Sequence, residues 1–260
     1  MRKPLVCANW KMNKTLPESV DYMIKLIESE SDYKDLDIII CPSIVSLAFL
    51  SEVLGEASNI SLGVQNIYQG EEGSFTGEVS IKQIEDYSKY VIVGHSERRN
   101  VFKETDEMIT EKMGYLTQNS KVTPILCIGE TMEVRQNGNI KEYLQNELEK
   151  ALEFVPKKFL NNMVVAYEPY WAISDGKNMK VMPAAQDIEQ NAKFIREILE
   201  SRYDSNVSEE TRILYGGSVS RDNVKGIIKC ENVDGVLIGA TSLDVSHFKD
   251  ILGVVNSFYS

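Results

Sequence analysis

Glu168 closes an apolar run, Ala166–Tyr167, and leads into Pro169–Tyr170–Trp171–Ala172–Ile173. A carboxylate among such neighbours loses hydration, which is costly unless it has a task or a partner. The chemical task suited to it is general-base removal of a proton from carbon. The alternative is a buried salt bridge to a lysine or arginine. The segment that follows, Pro169 to Gly176, is apolar in its middle and has the character of a lid that docks over a ligand and excludes water.

A second group is Gly94–His95–Ser96–Glu97–Arg98–Arg99. His95 stands where an apolar run ends and a helical turn can begin. A helix N-terminus disfavours an imidazolium, so a neutral ring there can donate a hydrogen bond to a carbonyl. Glu97, Arg98 and Arg99 equally suit a salt-bridge network that holds loops together. In Asn9–Trp10–Lys11–Met12–Asn13, Asn9 and Lys11 alternate with large apolar groups, which makes Lys11 a candidate fixed cation, although a solvated surface lysine satisfies the same pattern. Tyr215–Gly216–Gly217–Ser218 and Ile238–Gly239–Ala240–Thr241 are glycine turns. Each alone is ordinary turn chemistry. As a pair on the last strands of a barrel, they make the usual place where backbone N–H groups meet a phosphate.

The elements that would position these groups alternate along the whole chain. Short β-branched runs predict strands at Leu5–Asn9, Asp37–Cys41, Ile60–Gln65, Tyr90–Gly94, Val122–Ile128, Met163–Tyr167, Arg212–Tyr215 and Gly235–Ile238. Amphipathic stretches between them predict helices at Pro17–Glu30, Ile44–Leu54, Ser80–Tyr87, Glu104–Asn119, Ile140–Phe154, Ala184–Tyr203, Arg221–Lys229 and Ser246–Phe258. Thr15 and Pro17 mark the start of the first, and Pro183 that of the sixth. Even spacing without a Pro/Gly/Ser-rich linker predicts an α/β fold, a single (β/α)8 barrel domain over residues 1–260. An open doubly wound sheet would carry a glycine-rich nucleotide fingerprint after the first strand, where this chain has no glycine. In such a barrel, active-site groups project from the C-terminal ends of the strands, which is where Asn9, Lys11, His95 and Glu168 fall.

Composition narrows the classes. The 260 residues carry 28 Lys+Arg against 39 Asp+Glu, a net charge of −11. That balance speaks against a nucleic-acid footprint, and any phosphate site must rely on local donors. No apolar run approaches the ~20 residues that span a bilayer, and the first residues lack the apolar stretch of a signal peptide. The expectation is a soluble, cytoplasmic protein with no membrane or nucleic-acid partner. Cys7, Cys41, Cys127 and Cys230 are widely spaced and suit reduced core positions, while two histidines are too few for most His-based metal sites.

Taken together, Asn9–Trp10–Lys11–Met12–Asn13, Gly94–His95–Ser96–Glu97–Arg98–Arg99, Ala166–Tyr167–Glu168–Pro169, Tyr215–Gly216–Gly217–Ser218–Val219 and Asp234–Gly235 resemble the triosephosphate isomerase family. Leu126–Cys127–Ile128–Gly129–Glu130 and Phe75–Thr76–Gly77–Glu78 match as well, and the resemblance runs from about Arg2 to Leu252. It implies a TIM barrel that interconverts dihydroxyacetone phosphate and D-glyceraldehyde 3-phosphate in glycolysis and gluconeogenesis, without metal or organic cofactor. It implies Glu168 as the base that moves a proton between carbons, and neutral His95 as the group that polarises the carbonyl. Lys11 and Asn9 would stabilise the enediolate, and Glu97 would support Lys11 and the base. The phosphate contacts would come from backbone N–H groups at Ser174, Gly239 and Ala240, and from Ser218. The loop from Gln65–Asn66 to Thr76–Gly77–Glu78 would insert into a partner subunit of a homodimer, where Thr76 braces the partner's Asn9 and His95.

The departures from the family pattern fall on the phosphate grip. Where the family lid usually reads Ile-Gly-Thr-Gly-Lys, this chain has Ile173–Ser174–Asp175–Gly176–Lys177. A Cβ at Ser174 narrows the backbone angles, Asp175 adds a negative charge, and Ala240 replaces a second glycine. Lys177 to Met182 makes the far hinge slightly longer than usual. These changes motivate an alternative, a paralogous isomerase for another small phosphosugar such as a tetrulose phosphate.

Overall fold

A strand covered on both sides is apolar along most of its length, and the eight runs follow this, with polar residues such as Asn9, Asp37 and Arg212 at their ends. A computed structural model describes residues 2–55, 59–173 and 182–259. Its strands are β1 (Leu5–Asn9), β2 (Asp37–Cys41), β3 (Ile60–Val64), β4 (Tyr90–Val93), β5 (Thr123–Ile128), β6 (Val164–Tyr167), β7 (Arg212–Tyr215) and β8 (Gly235–Ile238). They pair in parallel in chain order and close between β8 and β1, with Leu5 opposite Gly235 on one side and Asp37 on the other. Inward residues such as Leu5, Cys7, Ile39, Ile92, Ile125, Ala166 and Leu237 fill the barrel. Their outward neighbours Val6, Ala8, Ile38, Ile40 and Val165 pack against the surrounding helices.

The helices are α1 (Leu16–Ile27), α2 (Leu47–Leu54), α3 (Ser96–Asn100), α4 (Asp106–Asn119), α5 (Met132–Gln136), α6 (Ile140–Ala151), α7 (Ala185–Arg202), α8 (Ser205–Glu210), α9 (Arg221–Ile227) and α10 (Val245–Tyr259). Thr15 caps α1 and forms a capping box with Glu18, as the start signal implied. The expected helix over Ser80–Tyr87 is instead a single 3-10 turn, Ile81–Gln83, because Ile81 and Ile84 alone bury against the core three residues apart and β4 begins soon afterwards. The short helices α5 and α8 were not expected; both start on side-chain caps, Thr131 and Asp204, rather than on an apolar stripe.

Closure needs Gly235. A Cβ there would stand 1.8 Å from the Leu5 carbonyl oxygen of the neighbouring strand. Just before it, Asp234 accepts from Arg196 of α7 at 2.6 Å, from Arg2 at 2.6 Å and from the Ile213 N–H at 2.8 Å, binding the first and last parts of the ring together. All four cysteines are free and buried.

Candidate active site

The C-terminal ends of β1, β4, β6, β7 and β8 bring the expected polar residues to one end of the barrel. Asn9 is the last residue of β1 and is buried. Two residues on, Lys11 adopts a left-handed backbone with φ 53°, a conformation that strains a residue with a Cβ and persists only when it is held. It is held from both sides. The Lys11 N–H donates to Asn9 Oδ1 at 3.1 Å, and Gln65 Nε2 donates to the Lys11 carbonyl at 2.9 Å. The Lys11 ammonium donates to Glu97 at 2.6 Å, and its Cε lies so close to Gly239 that a Cβ there would be 3.2 Å away. Lys11 is therefore a fixed cation beside the β8 turn, not a solvated one.

His95 caps the N-terminus of α3, and its Nδ1 accepts the Glu97 N–H at 3.2 Å. A ring nitrogen that accepts a hydrogen bond carries no proton, so the hydrogen of the neutral ring sits on Nε2. Nε2 lies 3.5 Å from Glu168 Oε1.

Glu168 follows β6, with its N–H donating to the Ile128 carbonyl at 2.7 Å. The side chain is fully buried. Oε2 accepts the Ser96 N–H at 3.3 Å, while Oε1 has no hydrogen-bond partner. Among the described residues no lysine or arginine pairs with it. Arg98 and Arg99 do serve a network, pairing with Glu104 at 2.9 Å and with Asp106 at 2.6 Å. Beside the Glu168 carboxylate lies Cys127, whose thiol is pushed up by burial first and by the Glu168 charge next.

The β7 turn carries Ser218, whose hydroxyl and N–H both donate to the Ala172 carbonyl, at 2.8 and 3.2 Å. Gly239 precedes, and Ala240 begins, the four-residue 3-10 turn that follows β8. Thr76 sits exposed on the loop between β3 and β4, within a stretch organised by stacking of Tyr68 on Phe75 at 4.3 Å between ring centroids. Ser174, Asp175, Gly176 and Lys177 lie outside the described residues, as does the far hinge as far as Val181.

Four contributions were not legible beforehand. Ser96 supplies the N–H that anchors the Glu168 carboxylate, and Gln65 fixes the Lys11 turn. Gly216 clears the space for the Glu168 side chain: a Cβ would stand 2.6 Å from Glu168 Cγ. Glu130, buried, accepts from Tyr167 at 3.0 Å and from Trp171 Nε1 at 2.8 Å, and thereby fixes the segment directly after Pro169. Only Glu130 had a local signal, an acidic residue directly after an apolar strand and a glycine.

The chain resembles known proteins over almost its whole length. The sequence model of the family described as triosephosphate isomerase matches residues 4–255. A triosephosphate isomerase of Carboxydothermus hydrogenoformans is 41% identical over 97% of this chain and 98% of its own length. Those of Dictyoglomus thermophilum and Alkaliphilus metalliredigens are 39% and 37% identical, over 97% and 98% of this chain and 99% and 100% of theirs. With a closed eightfold barrel, and with His95, Lys11 and Glu168 gathered at its C-terminal end, the chain belongs to the triosephosphate isomerase family.

Proposed function

We infer that this protein interconverts dihydroxyacetone phosphate and D-glyceraldehyde 3-phosphate through an enediolate, in line with its relatives, which are named triosephosphate isomerases. The observation that carries this reading is a fully buried carboxylate with no lysine or arginine partner among the described residues, 3.5 Å from an imidazole whose other nitrogen is occupied as an acceptor. Glu168 takes the proton from one carbon and returns it to the next. The His95 Nε2–H donates to the substrate carbonyl oxygen as charge develops there, and passes a proton between the two oxygens. The Lys11 ammonium, fixed by Glu97, and the Asn9 amide stabilise the negative oxygen. Ser218 and the backbone at Gly239 and Ala240 grip the phosphoryl group, with Ser174 added from the lid. The proton transfers need no cofactor, and the reaction belongs to glycolysis and gluconeogenesis.

The site also supports a homodimer. A cavity of about 380 Å³ lined by Asn9, Lys11, Gln65, His95 and Glu97 opens beside exposed Met12, Ile44 and Phe102. An exposed apolar rim of this kind suits a protein partner. The loop bearing Phe75 and Thr76 fits such a cavity on a second copy, where Thr76 of the partner subunit braces Asn9 and His95. Among the described residues no helix is long and apolar enough to cross a membrane, which is in keeping with a cytoplasmic enzyme.

A steady-state assay with both trioses and a tetrulose phosphate tests the reaction. Efficient interconversion of the trioses is expected. A large preference in kcat/KM for the four-carbon substrate would reverse the assignment in favour of the tetrulose alternative, which none of the relatives supports. Sedimentation of the purified chain at twice the monomer mass is the expected result for assembly.

A further inference from the structure

The turn after β1 contains a second lysine in a left-handed conformation. Lys14 has φ 67°, a value that glycine adopts without strain and lysine does not. Its ammonium donates to the Leu243 carbonyl at 2.6 Å, lying 4.7 Å from the centre of the Tyr22 ring and 5.3 Å from that of Trp10. Tyr22 and Trp10 meet edge to face at 4.8 Å, and the Tyr22 hydroxyl donates to the Ser242 carbonyl at 2.8 Å. Ser242 and Leu243 are the last two residues of the 3-10 turn that begins at Ala240. Carbonyls at the end of a helical turn have no partner within it and need outside donors. Here both donors come from the β1 side of the barrel.

The two turns thus touch twice. Lys11 lies over Gly239 at the start of the β8 turn, and Lys14 holds Leu243 at its end. Between them Asn13 Nδ2 donates to the Trp10 carbonyl at 2.7 Å, closing the β1 turn on itself. We propose that Lys14 is a positioning residue for the isomerase reaction, tying the turn that carries Lys11 to the turn that grips the phosphoryl group. The contact is chemically specific. The ammonium sits on the faces of electron-rich rings and spends one N–H on a carbonyl, a combination that a neutral side chain of similar length cannot reproduce. Desolvation holds the ammonium below the ordinary lysine range, opposed by the charges of Glu18, Asp244 and Asp21.

The proposal rests on the isomerase reading given above, and the test separates the two. Lys14→Met keeps the stem and the same backbone strain but removes the charge and the donor, whereas Lys14→Arg keeps a stacking cation with N–H groups. For the full-length wild type and both variants, kcat and KM for glyceraldehyde 3-phosphate are measured, together with the inorganic phosphate concentration giving half-maximal protection against thermal unfolding. Lys14→Met is expected to raise both KM and that phosphate concentration at least fivefold, and Lys14→Arg to stay within twofold of wild type. A Lys14→Met variant with wild-type KM and phosphate protection overturns the proposal. So does one that loses kcat alone, as a merely destabilised enzyme would, and so does an arginine variant as impaired as the methionine one. A wild type inert toward trioses whose phosphate protection still weakens in Lys14→Met would overturn the isomerase reading and support the tie between the turns.

Discussion

His95 and Glu168 approach to 3.5 Å, Nε2 to Oε1, although they come from helix-capping and strand-end positions on opposite sides of β5. Each is held by the backbone of the same short helix: His95 Nδ1 accepts the Glu97 N–H, and Glu168 Oε2 accepts the Ser96 N–H. Two adjacent amides at the start of α3 therefore orient both groups. Their other atoms, one N–H and one bare carboxylate oxygen, are left facing each other. An acid and a base arranged this way suit a reaction in which a proton leaves carbon as an oxygen gains one.

Glu168→Gln should abolish most of the turnover without harming the fold. The amide matches the carboxylate in size, and its carbonyl can still accept the Ser96 N–H, but it cannot take a proton. A loss of general-base catalysis lowers kcat by about 10²–10⁴-fold. Inorganic phosphate should protect the variant against heat as well as it protects wild type. Undiminished kcat would show that Glu168 is not the base.

Gly216→Ala should act on the same carboxylate from outside. The new Cβ would stand 2.6 Å from Glu168 Cγ and 3.0 Å from Oε1, so the side chain must shift from the position that sets its carboxylate beside His95. Overpacking of this sort destabilises by about 1–3 kcal/mol, while kcat should fall at least tenfold. The comparison is Gly217→Ala, whose Cβ would meet the Tyr215 ring, 2.1 Å from the hydroxyl and 2.5 Å from Cζ. That variant should lose more stability and keep a larger share of activity per folded molecule. Equal losses of kcat in both would mean that Gly216 does no more than complete a turn.

How far such roles can be read ahead depends on where the cause lies. The barrel was legible because each strand's need for burial on both faces leaves a local mark, the continuous apolar run. Asn9, Lys11, His95 and Glu168 stand out in the sequence because a polar group at the end of such a run is unusual, and the structure gathers them at one end of the barrel. Gly216 was read as half of a phosphate turn, yet its missing Cβ also makes room for a side chain 48 positions away in the chain, from Glu168 to Gly216. Nothing near Gly216 records that. Gln65 and Ser96 act through single hydrogen bonds to distant backbone, and a glutamine or serine in a loop carries no pattern of its own. The absent helix over Ser80–Tyr87 has the opposite cause, a local pattern too short to outweigh the chain's need to reach β4.

Arg196→Met should be the most damaging of the substitutions away from the site. Arg196 and Asp234 are both buried and meet at 2.6 Å, and Arg196 also donates to the Thr211 carbonyl at 3.0 Å. Removing one member of a buried pair leaves the other charge unsatisfied, at a loss of about 3–5 kcal/mol. Arg2 still reaches Asp234 Oδ1 at 2.6 Å and lessens that loss, placing the expected value near the lower end. Urea unfolding should show a lower midpoint with kcat per folded molecule unchanged. A midpoint equal to that of wild type would mean that Arg2 alone satisfies Asp234.

Gly253→Ala should stabilise the protein without touching its chemistry. Gly253 lies within α10, and a Cβ built on it meets nothing within 4 Å. In a helix interior, alanine is favoured over glycine by about 0.5–1 kcal/mol, chiefly because glycine loses more backbone freedom on folding. For a chain of this size, that corresponds to a rise in Tm of roughly 2–4 °C per kcal/mol. Gly226 in α9 is equally open but next to the last helical residue, where the gain shrinks as the helix frays. Scanning calorimetry of the two single variants should therefore rank Gly253→Ala above Gly226→Ala, with kcat and KM unchanged in both. If the order were reversed, the stability of this face of the barrel would be set by packing between α9 and α10 rather than by the backbone entropy of α10.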